Sequence, residues 1–113
     1  MADHIRIRDA AGTWVVRAGG AVIGETARAL ELSEGDDPPV IYFPRADIAM
    51  AFLDPAGTAT ACPYRGTASH FTIVAKNGPI RDAAWSYETP NAGVAAIAGH
   101  LAFHPDKATV ERV

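Results

Sequence analysis

Only one cysteine, Cys62, stands among the 113 residues, so no internal disulfide can form. That fits a reducing compartment. The ten basic residues never stand side by side, and thirteen acids outnumber them. Such a chain has no electrostatic footprint for nucleic acid. No apolar run nears the ~18 residues that a membrane span needs. Met1-Ala2-Asp3-His4 offers no basic start and leads into no apolar stretch, which predicts no signal peptide. A Gly-x-x-x-x-Gly-Lys phosphate loop is missing. So are internal repeats, low-complexity tracts and linkers. The expectation is one soluble cytoplasmic domain over 1–113, with no membrane or nucleic-acid partner.

What is present is short-period alternation. A chain of this length buries roughly 65% of its unfolded surface, so a core can form without staples. Ile5 and Ile7 alternate with His4, Arg6 and Arg8. Trp14 to Arg17, Ala21 to Gly24, Ala27 to Leu32 and Val40 to Phe43 read as further strands. Ile48, Met50 and Phe52 alternate with Ala49 and Ala51, which predicts another. Asp54-Pro55-Ala56-Gly57 reads as a turn. Thr58 to Cys62 and Thr67 to Ala75 flank a hairpin loop over Pro63 to Gly66, with Gly66 at positive φ. Gly19-Gly20 and Asn77-Gly78 are hairpin turns. Ile80 to Tyr87, His100 to His104 and Thr109 to Val113 complete the strands. One short helix is predicted over Ala92 to Ala98, capped by Asn91 and ended by Gly99. This is a mainly β, meandering antiparallel domain with one short helix near the C-terminus.

The densest chemistry lies over Ala61 to Phe71. Cys62 is either a nucleophile activated by a nearby Arg or a small buried strand residue. Arg65, with Arg45, suits a phosphate or carboxylate, because guanidinium offers a planar fork of donors. The alternative for these arginines is solvent, or ion pairs with Asp47 or Asp82. Tyr42, Tyr64, Trp85 and Tyr87 can give a pocket apolar walls with polar tips, or pack in the core. Trp85 and Tyr87 share a strand face. Metal binding is not expected. His100 and His104 lie roughly 13 Å apart along a strand, and His70 is isolated.

Several runs occur together in order: Tyr42-Phe43-Pro44-Arg45-Ala46-Asp47, Cys62-Pro63-Tyr64-Arg65-Gly66-Thr67-Ala68, Ala84-Trp85-Ser86-Tyr87 with Pro90, and Ile97-Ala98-Gly99 with Ala102-Phe103. Over nearly the whole chain they resemble the bacterial family named domain of unknown function 427, which is also labelled a nucleotidyltransferase. The resemblance implies a β-tent-like domain, in which two antiparallel sheets lean together. Zinc-bearing relatives of that architecture use paired cysteines, which this chain does not have. Arg65 stands where Lys is commoner, and His70, His100 and His104 stand where aromatic residues are commoner. Arg keeps the charge but excludes an amine nucleophile at that position.

The expected function is binding of a small polar or anionic ligand by Tyr42, Arg45, Cys62, Tyr64, Arg65, Trp85 and Tyr87, with no metal or cofactor. Arg65 would contact the anion and Cys62 would floor the pocket. The alternatives are an enzyme, nucleotidyltransferase-like or thiol-dependent, and a homodimeric interaction module.

Overall fold

The structure, a computed structural model, describes residues 4–113, so the signal-peptide expectation at Met1 to Asp3 lies outside the described residues. Its strands in chain order are β1 (Ile5–Asp9), β2 (Trp14–Ala18), β3 (Ala21–Thr26), β4 (Leu30–Glu34), β5 (Val40–Tyr42), β6 (Leu53–Cys62), β7 (Gly66–Ala75), β8 (Gly78–Ser86), β9 (Ala102–Phe103) and β10 (Thr109–Arg112). They pair antiparallel into three sheets, β1-β4-β5, β10-β2-β3 and β6-β7-β8-β9. The mainly β, antiparallel expectation holds. The division into sheets differs from the two leaning sheets that the resemblance implied.

Register explains why three sheets form. Phe71 pairs with Ala84, which pairs with Phe103. These residues share one face of the β6–β9 sheet, because directly opposed residues point the same way. They pack with Val16 and Ile23 of the β10-β2-β3 sheet. His70, Trp85 and Ala102 are the next set of partners and occupy the opposite face. On that face Ala68, Tyr87 and Ala102 pack with Leu32 and Tyr42 of the β1-β4-β5 sheet. The β7–β9 part of the β6–β9 sheet is therefore central, covered on both sides, while β6 is largely exposed. A strand buried on both faces cannot alternate apolar with charged residues, and the run Ala83-Ala84-Trp85-Ser86-Tyr87 contains no charge. Each large apolar side chain so buried contributes about 1.5–3 kcal/mol.

A reciprocal backbone pair joins the first sheet to the central one. Phe43 N–H donates to the Leu101 carbonyl at 2.8 Å, and Leu101 N–H to that of Phe43 at 2.9 Å. The rings of Phe43 and Phe103 meet edge to face beneath it, with centroids 5.8 Å apart.

Four local expectations are corrected. Ile48 to Phe52 is not a strand: Ile48 forms a lone bridge with Gly24, and Met50–Phe52 is a 3₁₀ turn. The Ala49 N–H bond to the Ile23 carbonyl ties this segment to β3, which fixes its path regardless of alternation. Asp54 to Gly57 does not end a strand but lies within β6, where the register slips between Pro55 and Ala59. Pro55 is tolerated there because β6 is an edge strand. The strand read over Ala27 to Leu32 begins only at Leu30, and β3 runs on to Thr26. No α-helix forms among the described residues. Ala92–Ile97 is two 3₁₀ turns kinked at Val94. The Asn91 side chain does not cap them; its Nδ2–H donates to the Pro63 carbonyl at 3.1 Å.

Gly24 is required where β3 meets the 44–48 turn. A Cβ there would stand 2.5 Å from Ile48 Cδ1 and 2.8 Å from the Asp47 carbonyl oxygen. Gly24→Ala should lower stability by about 1–3 kcal/mol, measured by urea denaturation. Wild-type stability in that variant would contradict this close approach.

Candidate functional site

The residues expected to form a site divide into a converging group and two that go elsewhere. Tyr42, on β5, is fully buried. Trp85, on β8, donates its indole N–H to the Tyr42 hydroxyl at 3.2 Å. Burial pushes the Tyr42 pKa up to about 12, against the opposing pull of this hydrogen bond and of Arg65. The hydroxyl therefore stays protonated. Cys62 and Tyr87 also lie within electrostatic reach of it. Cys62 is half-buried, more open than the pocket floor expected.

Arg65 joins this group from the β6–β7 loop. Burial works against its charge, but Tyr87, Tyr42 and Glu34 outweigh that and hold its pKa above the ordinary value. Its guanidinium is ion-paired to Glu34, and both side chains are about four-fifths buried. Glu34 also accepts from His4 Nε2 at 3.0 Å when that imidazole nitrogen carries its proton. Tyr64 stays at the rim, edge-on to the His4 ring at 4.8 Å.

Arg45 belongs to the other face of the central sheet. Its Nε–H donates to the Gly99 carbonyl at 2.9 Å, and its Nη2 to Ser86 Oγ at 3.2 Å and Glu88 Oε2 at 2.9 Å. The guanidinium carbon lies 5.7 Å from the Phe71 ring centre. Asp47 is not its partner. That carboxylate accepts from Thr26 Oγ1 at 2.8 Å and from Arg28 at 3.1 Å. The Thr26 hydroxyl, with Arg28 adding to it, holds the Asp47 pKa below its ordinary value.

Two concavities lie near Trp85, which lines the first and touches His104 of the second. The first is a cleft of about 600 Å³ whose lining includes Trp14, Pro39, Ile41, Trp85, Phe103 and Val110. It takes side chains from all three sheets. Both tryptophans of the chain line it. Trp14 was not among the expected site residues. Its indole N–H is held by the Ala11 carbonyl at 3.2 Å. The available signal was that it is the only other tryptophan, at the start of a strand after Gly12. The lining carries one charged residue, Glu31, which pairs with Arg8 at 3.2 Å.

The second is a pocket of about 360 Å³ lined by Thr58, Thr60, His70, Asp82, His104, Asp106 and Lys107. Here the expectation of an isolated His70 is corrected. Its ring lies parallel to that of His104, with centroids 6.5 Å apart. A bulge in β8 and the turn after β9 create this approach, and neither is visible in alternation. His104 also meets Trp85, at 4.5 Å between centroids. Among the described residues, no three Cys, His or carboxylate side chains are grouped to hold a metal ion.

Residues 6–113 match the family model described as domain of unknown function (DUF427), and the chain belongs to that family. Among curated proteins, none matches the chain.

Two predictions follow from this geometry. Tyr42→Phe leaves the Trp85 N–H without its acceptor and should cost about 1–3 kcal/mol, read by urea denaturation. An unchanged midpoint would show that the bond contributes nothing. The second concerns pH. Burial, then Lys107 and His70, hold the His104 pKa below its ordinary value, with Asp106 and Asp82 opposing. A depressed folded-state pKa means the unfolded chain binds more protons just below about pH 6.5. The stability contribution is thus full above that value and declines as pH falls toward the folded-state pKa. Tm should drop more in wild type than in His104→Gln between about pH 7.5 and pH 5.5. Parallel curves would contradict the assignment.

Proposed function

We propose that this DUF427 member is a small-molecule-binding domain whose ligand sits between Trp14 and Trp85. The observation that carries this reading is that both tryptophans line one cleft of about 600 Å³. Ligand pockets of roughly 300–1,000 Å³ typically combine apolar and aromatic walls with a few polar groups. With Glu31 the single charged lining residue, the cleft favours an uncharged, ring-bearing ligand over an anion. The anion contact expected from Arg45 and Arg65 has less support, since each guanidinium already faces a carboxylate. Arg65 instead supports the cleft indirectly. It lies within electrostatic reach of Tyr42, whose hydroxyl accepts from Trp85. A cytoplasmic setting fits the single half-buried thiol.

Intrinsic tryptophan fluorescence tests the proposal with indole, nicotinamide, adenosine, adenosine monophosphate and inorganic phosphate as probes. The neutral rings should quench saturably, and Trp14→Ala should weaken their binding about tenfold, as loss of one aromatic contact implies. Quenching by phosphate that depends on Arg65, or binding unaffected by Trp14→Ala, would overturn it.

A further inference from the structure

The polar pocket lined by His70 and His104 has the shape and charge of a receptor for a different group. We propose that it binds a planar cation of the guanidinium or amidinium type, inserted between the rings of His70 and His104. The spacing carries the argument. The two imidazole planes lie within 1° of parallel, with centroids 6.5 Å apart. Both rings line the same pocket. A flat group sandwiched between two rings needs two van der Waals contacts, about 7 Å in all. The centroid distance is the upper limit of the gap between the planes, so these half-buried rings must part by at least about 0.5 Å to admit one planar group. Guanidinium is flat and weakly hydrated, and it stacks on ring faces in a way an ammonium ion cannot.

The walls fit the charge. Asp82 and Asp106 place two carboxylates on the lining, where guanidinium N–H groups find acceptors. Lys107 is the opposing charge, and its Nζ is turned to the Arg81 carbonyl at 2.8 Å. His70 is oriented by Thr60, whose Oγ1 lies 2.9 Å from its Nε2. Thr58 donates to Asp82 Oδ1 at 3.1 Å, which orients that carboxylate. The depressed His104 pKa keeps one ring neutral near pH 7, as stacking a cation requires.

Backbone strain marks the same place. Asp82 has φ +51° and is the one non-glycine residue at positive φ among the described residues. Such conformations are costly and cluster where a side chain must be aimed. The register of β7 and β8 slips here, between Phe71 and Ile73. This bulge sets Asp82 out of the regular alternation.

The test is NMR of the histidine ring nitrogens during titration near pH 7. The probes are methylguanidine, a short uncharged peptide containing one arginine, methylurea (flat but neutral) and methylammonium (charged but not flat). Methylguanidine or the arginine peptide should shift the His70 and His104 signals saturably, while methylurea and methylammonium should not. Asp82→Asn preserves shape and suits positive φ. It should weaken binding at least several-fold while the backbone amide spectrum stays native. Stronger binding of the peptide would identify a protein side chain as the source, and equal binding a free small molecule. Saturable shifts from methylurea or methylammonium equal to those from methylguanidine would overturn the proposal. So would the absence of any saturable shift up to about 20 mM probe, or an Asp82→Asn variant that binds unchanged.

Discussion

The hydrogen bond from Trp85 to Tyr42 sets how the first sheet and the central sheet meet at the candidate site. Tyr42 is fully enclosed, so its hydroxyl must find a partner inside the protein. The indole N–H supplies it, and in doing so fixes a ring that would otherwise rotate. One side of Trp85 then faces the cleft shared with Trp14, while His104 packs against the ring within the polar pocket. Trp85 thus lines the cleft itself and reaches the polar pocket only through His104. Without the tie, this wall of the cleft would be a half-buried indole free to sample other rotamers.

The arginines shape the same region by a different route. Arg65 and Arg45 each carry a charge into a partly enclosed place, one on each face of the central sheet. Each is answered by a carboxylate, Glu34 in one case and Glu88 in the other. The enclosed Arg65–Glu34 pair is costly to separate, because the remaining charge would be left poorly solvated, whereas Arg45 and Glu88 meet nearer solvent. These residues therefore act as clamps between elements. Arg45 links the turn after β5 to the end of β8 and to Gly99. Arg65 links the β6–β7 loop to β4. Neither guanidinium lines the apolar cleft or the polar pocket.

How much of this was legible in the sequence depended on how local the cause was. Hairpins at Gly19-Gly20, Pro63 to Gly66 and Asn77-Gly78 were readable because glycine alone relieves their backbone strain; Gly66 has φ +114°. The convergence of Tyr42, Cys62, Arg65, Trp85 and Tyr87 was also readable, since they sit in short motifs at strand ends. Ile48 to Phe52 was misread because its alternation is real but is overridden by the contact with Gly24 and Ile23. The six-residue 3₁₀ segment was misread as α-helix because alanines favour either form, and the choice rests on burying Val94 and Ile97. Arg45 and Arg65 pair with Glu88 and Glu34, long-range partners that no spacing rule exposes. The stacked histidines were invisible for the same reason. Their meeting depends on a bulge at Asp82 and on the turn after a two-residue strand.

The most direct test is solvent exchange of the two indole N–H protons, followed by NMR in wild type and Tyr42→Phe. The Trp85 proton is enclosed against a buried hydroxyl, whereas that of Trp14 bonds an exposed carbonyl at Ala11. Trp85 should exchange much more slowly than Trp14 in wild type, and Tyr42→Phe should accelerate Trp85 alone. Equal exchange in wild type, or a Trp85 proton indifferent to the loss of the hydroxyl, would contradict the account of Trp85 as a wall of the cleft fixed by Tyr42.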